Sequence, residues 1–378
     1  MRVALFYHSL ISDWNHGNAH FLRGIASELK ARGHVVEVFE PSDSWSKANL
    51  VREHGHKAID AFHEAFPQLH STAYDVNRFE VERVLNDADL AIVHEWNDPA
   101  IVSAVGAFRR TNGKIRVLFH DTHHRALTAA QELARLDLAN YDGVLAYGES
   151  LKEKYEKRGW GKQVHVWHEA ADTRTFYPRP SESKVGDVIW IGNWGDDERT
   201  EELREFLLRP AKESPFTGRV YGVRYPYSAL EELSDAGLTY CGWLPNFAVP
   251  WAFAEFKATV HIPRRPYTQE LAGIPTIRPF EALACGIPLV SAPWRDTEGL
   301  FRVGKDFLMA RDGNEMSRCM DAVLNDPGLA TDLAQSGLET ITKRHTCAHR
   351  VYELLRIYDE MKPASVKEEA AVPVGVGQ

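Results

Sequence analysis

The sequence predicts an α/β protein of two domains, each built on a mostly parallel β-sheet. Its 378 residues exceed what one hydrophobic core usually supports. Hydrophobic residues make up 44% of the chain and charged residues 26%, which is typical of a folded globular protein. Short apolar segments alternate with amphipathic segments in both halves of the chain. This alternation is the pattern of parallel sheets that are covered by helices on both faces.

The first half of the chain contains one complete series of this kind. We predict strands at residues 3–7, 35–39, 88–96, 115–120, 143–148 and 164–168. Between them we predict helices at residues 19–33, 98–113 and 127–138, and a charged helix after residue 148. Gly33 is a typical helix end, and the pair Asp98 and Pro99 is a typical helix start. The polar, His-containing residues 43–76 are predicted to form a helical insertion after the second strand.

A second series follows the turn-rich stretch YPRPSESKVGD, in which Pro178 and Pro180 indicate the domain boundary. Strands are predicted at residues 187–194, 219–223, 239–244, 258–263, 287–293 and 307–311, and helices at 198–208, 249–256, from 280, and from 315 onward. We therefore expect domains at residues 1–176 and 177–344, a last helix at 345–362 and a mobile tail at 363–378. Tyr352, Leu355 and Tyr358 are expected to share one face of that helix.

Charge and composition exclude several classes of protein. A net charge of −9 argues against a nucleic-acid partner. Basic residues around Trp160 would allow weak peripheral membrane contact, but interleaved glutamates favour a solvated helix face. Without an apolar stretch of about eighteen residues or a leader-like N-terminus, we expect a cytoplasmic protein. Four widely spaced cysteines form no CxxC pair, so neither a disulfide framework nor a structural zinc site is indicated.

The most informative segment is GIPTIRPFEALACGIP, residues 273–288. A strand, a polar loop and a Gly/Pro turn lead here into a short helix, and a helix N-terminus suits a diphosphate. Thr276, Ile277 and Arg278 are placed to hold phosphates, with Arg278 as a bidentate donor. Glu281, one turn further, is placed to accept hydrogen bonds from ribose hydroxyls. The alternative interpretation is an ordinary strand-loop-helix connection with a carboxylate near the cap.

RPFEALACGIPLVSAPW resembles the nucleotide-sugar signature of group-1 glycosyltransferases of the GT-B fold, most closely the spore-maturation (CgeB-like) branch. Four further segments resemble landmarks of that superfamily in the same order: HGNAHFLRGIASELKARGHVVEVFEP, AADTRTFYP, IGNW with GWLPN, and RHTCAHRVYELL. The resemblance implies two Rossmann-like domains whose parallel sheets face each other across a cleft. The N-terminal domain would take the acceptor and the C-terminal domain the donor. The last helix would cross back onto the N-terminal domain.

The resemblance also implies roles for particular residues. Gly17 and Asn18 would bring backbone close to the donor diphosphate, for which a small residue is needed. Arg199 would bind phosphate, and Trp243 and Leu244 would lie beside the base. His120 would contact the transferred sugar, at the strand end where open α/β sheets place ligands.

Two departures from the family pattern concern the mechanism. Many group-1 enzymes carry two glutamates eight positions apart, but the position that would hold the first is Gly273. Asn193 stands where retaining relatives often have an arginine. Phosphate charge must then be neutralised by other basic side chains, for which the candidates are Arg199, Arg264, Arg265 and Arg278.

The run from His120 to His124 allows three interpretations. Its imidazoles and Asp121 are suitable transition-metal ligands. They can instead position an acceptor or donor in the cleft, or simply form a loop. We assign His120, Asp121 and His123 as candidate catalytic residues, since such groups can take a proton from an acceptor hydroxyl. We expect no metal ion, because the resembling family stabilises its leaving diphosphate with a helix dipole and basic side chains.

The predicted function is transfer of a sugar from a nucleoside-diphosphate sugar, either a UDP-sugar or a GDP-sugar, to a hydroxyl-type acceptor. The acceptor can be a glycan, a lipid-linked group or a small molecule. No further cofactor is expected. A nucleotide-sugar epimerase and a non-catalytic sugar-nucleotide-binding protein are the alternatives. The sequence contains no GxxxxGK[ST], GxSxG, HExxH or GxGxxG motif after a first strand, so kinase, serine hydrolase and dehydrogenase activities have no support.

Overall fold

The computed structural model describes residues 1–214 and 216–361, so the predicted tail at 363–378 lies outside the described residues. The first domain contains a seven-stranded, fully parallel sheet of order β3-β2-β1-β4-β5-β6-β7. Its strands are β1 (Arg2–Phe6), β2 (Val35–Pro41), β3 (Ser71–Tyr74), β4 (Leu90–His94), β5 (Arg116–Asp121), β6 (Gly143–Ala146) and β7 (Val164–Val166). Its helices are α1 (Ala19–Ala31), α2 (Trp45–His54), α3 (Lys57–Ala65), α4 (Val81–Leu85), α5 (Pro99–Thr111), α6 (Arg125–Thr128), α7 (Ala130–Leu133) and α8 (Glu149–Arg158).

The second domain contains a six-stranded parallel sheet of order β10-β9-β8-β11-β12-β13. Its strands are β8 (Gly186–Ile191), β9 (Gly218–Tyr221), β10 (Leu238–Tyr240), β11 (Phe256–His261), β12 (Leu289–Ser291) and β13 (Leu308–Met309). The helices are α9 (Thr200–Leu203), α10 (Arg209–Glu213), α11 (Tyr227–Asp235), α12 (Val249–Ala254), α13 (Arg265–Gln269), α14 (Ile277–Ala284), α15 (Gly313–Asn325), α16 (Pro327–Arg344) and α17 (Cys347–Glu360). The predicted α/β class with two parallel sheets is therefore confirmed.

The alternating pattern of the strands explains the layered packing. In β1, Leu5 faces one hydrophobic cluster and Phe6 faces another, and Leu118 and Phe119 divide in the same way in β5. Successive side chains point to opposite faces of a strand, and both faces of these central strands are buried. The cluster that contains Leu5 continues into the second domain, so an apolar core joins the two domains.

Three predicted elements differ in detail from the structure. The insertion at residues 43–76 is not entirely helical, because β3 pairs with β2 as the edge strand of the first sheet. The helix predicted at 127–138 is two short helices, since Ala129 leaves the helical conformation at φ −136°. The helix predicted at 198–208 becomes a π-helix over Arg204–Leu208. Pro210 follows in α10 and has no N–H to donate to the carbonyl four residues earlier, which favours this local widening.

The chain crosses between the domains twice, and the two crossings pair with each other. Ala171 N donates to His345 O at 2.9 Å, and Cys347 N donates to Ala171 O at 2.9 Å. The last helix, α17, then packs on α1. Gly24 makes this approach possible, because a Cβ there would lie 2.5 Å from Cys347 Sγ and 2.7 Å from Asp172 Cβ. The predicted crossover of the terminal helix is confirmed.

The buried face of α17 differs from the predicted one. Val351, Leu354, Ile357 and Tyr358 are buried, whereas Tyr352 is 66% exposed. The N-terminal capping box between Thr346 and His349 sets the helix register. Within residues 1–214 and 216–361, no helix is long and apolar enough to cross a membrane.

Candidate active site

A cleft of about 440 Å³ lies between the domains, at the carboxyl ends of both sheets. Its walls are the loops that follow strands. In the first domain these are the segments after β1, β2, β4, β5, β6 and β7; in the second they are the segments after β8, β9, β10 and β11. Open parallel sheets bind ligands at this edge, because the loops there converge without blocking the strands. The cleft is the candidate active site.

The second domain contributes an arginine wall, formed by Arg199, Arg224, Arg264 and Arg278. Arg199 donates to Asn193 Oδ1 and Asn193 O, each at 2.6 Å, and its Nε has no hydrogen-bond partner. Burial, and next the charge of Arg264, lower the pKa of Arg199 to about 9. Guanidinium groups held this close favour binding of a polyanion, because it relieves their mutual repulsion and offers bidentate hydrogen bonds.

The N-terminus of α14 completes this wall. Thr276 has φ 62°, which is rare for a residue with a side chain, and it aims the first turn of α14 at the cleft. Gly17 lies directly opposite, and a Cβ there would be 3.7 Å from Ile277 Cγ2. Asn18 beside it donates to Thr122 O at 3.3 Å. The structure thus brings together the predicted phosphate residues Thr276, Ile277 and Arg278 with Gly17 and Asn18.

The predicted base platform also lies in the cleft. Trp243 and Leu244 both line it. Trp243 Nε1 donates to Asp13 Oδ1 at 3.0 Å, and the indole packs on His54 with 4.5 Å between ring centroids. The carboxylate of Asp13 belongs to the first domain, so it fixes the indole across the interface. Contact with a base stays a prediction.

Glu281 lies behind the cleft surface, not on it. The side chain is fully buried and accepts hydrogen bonds from His20 Nδ1 at 2.9 Å, Asn246 Nδ2 at 2.8 Å and Arg278. His20 Nε2 accepts from Asp172 N at 2.6 Å, so Nδ1 carries the proton that is donated to Glu281. Burial alone would raise the pKa of Glu281, but the Arg278 charge and these hydrogen bonds hold it below its usual value. Its role as a ribose ligand stays a prediction.

The structure corrects the position of His120 and Asp121. Both belong to β5 itself and are buried beneath the cleft, because the strand ends only at Asp121. His120 packs against Trp167 and Phe21, and neither ring nitrogen has a hydrogen-bond partner. Asp121 accepts from Tyr155 Oη at 2.6 Å and from the backbone of His123 at 3.0 Å. Neither side chain lines the cleft.

The loop after β5 supplies the groups that do reach the cleft. These are Thr122, His123 and His124. The rings of His123 and His124 are 4.0 Å apart, and His124 Nε2 lies 3.4 Å from a Glu198 carboxylate oxygen in the second domain. Among the described residues, no group of three or more His, Cys, Asp or Glu side chains is arranged to hold a metal ion.

We expect the buried imidazole of His120 to make stability fall in acid. Burial lowers its pKa to about 3. Between that value and about 6.5 the unfolded chain binds a proton that the folded chain does not, so stability falls as the pH falls. This single group accounts for a loss of about 2 kcal/mol between pH 7 and pH 5. In urea titrations at both pH values, His120→Phe should lose less stability than the wild type, whereas the exposed His70→Phe should match it. Equal losses for all three proteins would contradict the assignment.

Several residues of the cleft were not identified from the sequence. Among them are Glu169, Tyr147, Trp45 and Asn246. Glu169 is 3% exposed and its Oε1 has no hydrogen-bond partner. Burial, and next the charge of Glu281, raise the pKa of Glu169 well above its usual value. The sequence could have indicated Glu169 as a cleft residue, because it lies just after the last strand of the first sheet and just before the crossing between the domains.

Comparisons with known proteins agree with this geometry. A Glycosyltransferase Family 4 model matches residues 17–175, and a Glycosyl transferase-like model matches residues 199–356. A search of curated proteins finds no match. Among solved structures, sucrose-phosphate synthase from Thermosynechococcus elongatus superposes with a TM-score of 0.64 at 15% identity, over 96% of this chain and 99% of that one. Anabaena HepE in complex with UDP and glucose superposes with a TM-score of 0.68 at 14% identity, over 95% of this chain and 99% of that one. An α-glucosyltransferase in complex with UDP and a 13-mer DNA superposes with a TM-score of 0.67 at 14% identity, over 95% of this chain and 99% of that one.

Two Rossmann-like domains that face each other across a cleft, with the last helix crossing back, define the GT-B fold. The two family models fall one on each domain and describe the same class of enzyme. The chain is a glycosyltransferase of the GT-B fold.

Proposed function

We propose that this enzyme transfers a sugar from a UDP-sugar or GDP-sugar to a hydroxyl group, without a metal ion, and that it belongs to the CgeB-like branch. The observation that carries the proposal is the arginine wall beside the N-terminus of α14, inside the interdomain cleft. Two of the three solved structures compared above are complexes with UDP. That shared ligand supports a nucleotide-sugar donor here, with the base against Trp243 and Leu244.

The proposed mechanism relies on positioning and on charge stabilisation. As the bond from the sugar to the diphosphate breaks, negative charge grows on the leaving phosphate. Arg199, Arg264 and Arg278 and the dipole of α14 face the place where that charge develops. Gly17 brings the backbone of the first domain close to Ile277 at the start of α14. His123 is the candidate to accept the proton of the acceptor hydroxyl, since it is the assigned catalytic residue that lines the cleft.

The structure explains why position 273 lacks a glutamate. Gly273 has φ 92°, and a Cβ there would lie 2.7 Å from Thr297 Oγ1 and 2.8 Å from Glu298 Oε1. Glu298 is itself engaged, because it accepts from Glu149 N at 2.9 Å and pairs with His168 at 2.7 Å. A side chain at this position would be strained by the positive φ and would have to displace the Glu298 carboxylate from its partners. Both effects disfavour the first glutamate of the family pattern at position 273.

We propose that Glu169 takes over recognition of the transferred sugar from the opposite wall. Burial, and next the charge of Glu281, raise the pKa of Glu169, which favours the protonated form that can donate a hydrogen bond to a sugar hydroxyl. Its unpartnered Oε1 would accept another.

Glu169→Ala should lower kcat/KM for the donor about tenfold or more, because a hydrogen bond to the sugar is lost. Glu169→Gln keeps a donor and an acceptor and should retain most of the activity. Affinity for the bare nucleoside diphosphate should not change, since that ligand carries no sugar. Steady-state kinetics and calorimetry with UDP measure both quantities. Weaker binding of UDP by the alanine variant, or equal loss in both variants, would argue against sugar recognition.

The test of the proposed function is release of nucleoside diphosphate in the presence of EDTA. With UDP-glucose or another sugar nucleotide, release should require an acceptor. An epimerase would instead isomerise the sugar nucleotide, and a binding protein would leave it unchanged. The T4 phage BGT structure contains UDP and Mn²⁺, so metal dependence must be measured directly. Activity that EDTA abolishes and Mn²⁺ restores would refute the metal-independent mechanism.

A further inference from the structure

The two walls of the cleft differ sharply in charge. Four arginines of the second domain line the cleft together with Asp196 and Glu198, which pair with Arg224 and Arg264, whereas among the described residues no lysine or arginine of the first domain lines it. The first domain instead contributes the carboxyl groups of Asp13 and Glu169. The cleft can therefore neutralise an anion on one side only, and that side is the one assigned to the donor diphosphate.

Two cations of the first domain lie near this wall, and both are already paired: Arg23 with Asp13 at 3.0 Å, and Arg125. The Arg125 guanidinium packs on the Trp96 ring at 4.2 Å from its centroid. It also pairs with Glu132 at 3.1 Å and with Glu95 at 3.6 Å. It donates a hydrogen bond to the Glu95 carbonyl as well. Its charge is thus balanced by neighbouring carboxylates and does not make an anion site.

The first domain forms an aromatic and imidazole surface, which we call the acceptor wall: His8, His16, Trp45 and Trp96. The His8 ring lies between the two indoles, 5.4 Å from Trp45 and 6.2 Å from Trp96, and 5.5 Å from His16. Trp45 is 40% exposed at the cleft mouth, although its neighbours on the wall are largely covered. An indole held open in this way is a platform for a flat or ring-shaped ligand.

The two imidazoles have unused hydrogen-bonding capacity. His8 and His16 are 5% and 8% exposed, and Nε2 of each has no hydrogen-bond partner. Burial lowers the pKa of His8 to about 4 and that of His16 well below its usual value, so both rings are neutral at pH 7. Neutral rings do not attract anions. Their ring nitrogens can exchange hydrogen bonds with hydroxyl groups, and buried polar atoms without partners are rare unless a ligand or water satisfies them.

We propose, resting on the transferase function above, that the acceptor is an uncharged polyhydroxylated ring, such as a neutral glycosyl group. Its C–H face packs on Trp45 and Trp96, and its hydroxyls bond to His8 and His16. A phosphorylated or carboxylated acceptor would have to leave water and place its charge against the acceptor wall, where no free cation of the first domain lines the cleft, which is unfavourable. The acceptor wall therefore selects against sugar phosphates.

The test compares matched acceptors. Neutral methyl glycosides are paired with the 6-phosphates of the same sugars, and release of UDP from UDP-glucose or of GDP from GDP-mannose is followed. The neutral member should have at least about a tenfold higher kcat/KM. Burying an unpaired charge typically costs more free energy than a tenfold change in an equilibrium constant represents. Preference for the phosphorylated member would overturn the proposal. Absence of binding by any neutral glycoside, measured by calorimetry on the UDP-bound enzyme, would also overturn it.

Variants of the wall provide the second arm. Trp45→Ala and Trp96→Ala should each raise the KM for a neutral acceptor about tenfold and leave the Kd for UDP unchanged. Trp251→Ala is the control, because Trp251 is 50% exposed on α12 and does not line the cleft. Unchanged acceptor KM in both wall variants contradicts the proposal even if transfer occurs. Failure of UDP and GDP to bind the wild type would instead refute the proposed function itself.

Discussion

Glu281→Ala should lower the free energy of unfolding by about 3–5 kcal/mol, as is typical when one partner of a buried charge network is removed. Glu281 is fully buried and joins Arg278, Asn246 and, across the domain interface, His20. The substitution leaves the Arg278 guanidinium unpaired and frees the Nδ1–H of His20, both in poorly hydrated surroundings. It also releases Arg278 from the position it needs for a phosphate. Donor affinity should therefore fall together with stability.

The role that the sequence predicts for Glu281, a ribose ligand, would instead give a binding defect in an intact fold. Urea unfolding and calorimetry with UDP measure the two effects separately. Glu281→Gln keeps the hydrogen-bonding groups and should be milder. Glu315→Ala removes an exposed carboxylate that pairs with Arg311 and should change little. Because the pKa of Glu281 is held low, its contribution is present at neutral pH and is lost as the pH falls below about 4. Wild-type stability in Glu281→Ala at pH 7 would contradict the network.

Arg199→Ala should weaken UDP binding about 10- to 100-fold, which corresponds to the 1.5–3 kcal/mol typical of a hydrogen bond to a charged group. Arg199 lies in the cleft with a free Nε, and its pKa is lowered, so it gains from an anionic partner. Its other donors are tied to Asn193 and Ile262, which holds the guanidinium in place before the ligand arrives. Binding to such a prearranged group loses little entropy.

Two controls separate this effect from a general loss of positive charge. Arg199→Lys keeps the charge without the fork of donors and should bind UDP with intermediate affinity. Arg209→Ala removes an exposed arginine outside the cleft and should bind UDP like the wild type. Calorimetry at two salt concentrations measures all four proteins. Equal UDP affinity in Arg199→Ala and the wild type would remove Arg199 from the phosphate site.

The fold follows from local patterns that a single sequence displays clearly. Leu5 and Phe6 alternate between two cores, and Gly33 and Asp98 mark helix ends, so strands and helices are predictable one by one. Landmarks at strand ends also placed Gly17, Arg199, Trp243 and the start of α14 on one cleft. The carboxyl ends of parallel strands lie at the same edge of a sheet, so residues just after the strands come together there. This part of the site can therefore be predicted from the sequence.

The remaining features depend on contacts between distant segments. His20 and Glu281 are 261 positions apart, and no periodicity relates them. The last residue of a strand and the first of its loop look alike in sequence, but His120 is buried in β5 and His123 faces the cleft. Trp45 and Glu169 reach the cleft only because α2 and the first crossing fold over it. Such placements are set by tertiary packing, which local propensity does not encode.

A crystal structure of the enzyme with UDP bound tests the central claim most directly. The diphosphate should lie against the N-terminus of α14, with oxygens within about 3 Å of the guanidinium groups of Arg199 and Arg278. The uracil should lie beside Trp243 and Leu244. Glu169 should face the β-phosphate on the side where the sugar of the donor would be attached. A nucleotide bound outside the interdomain cleft, or a diphosphate turned toward His8 and Trp45, would contradict the account.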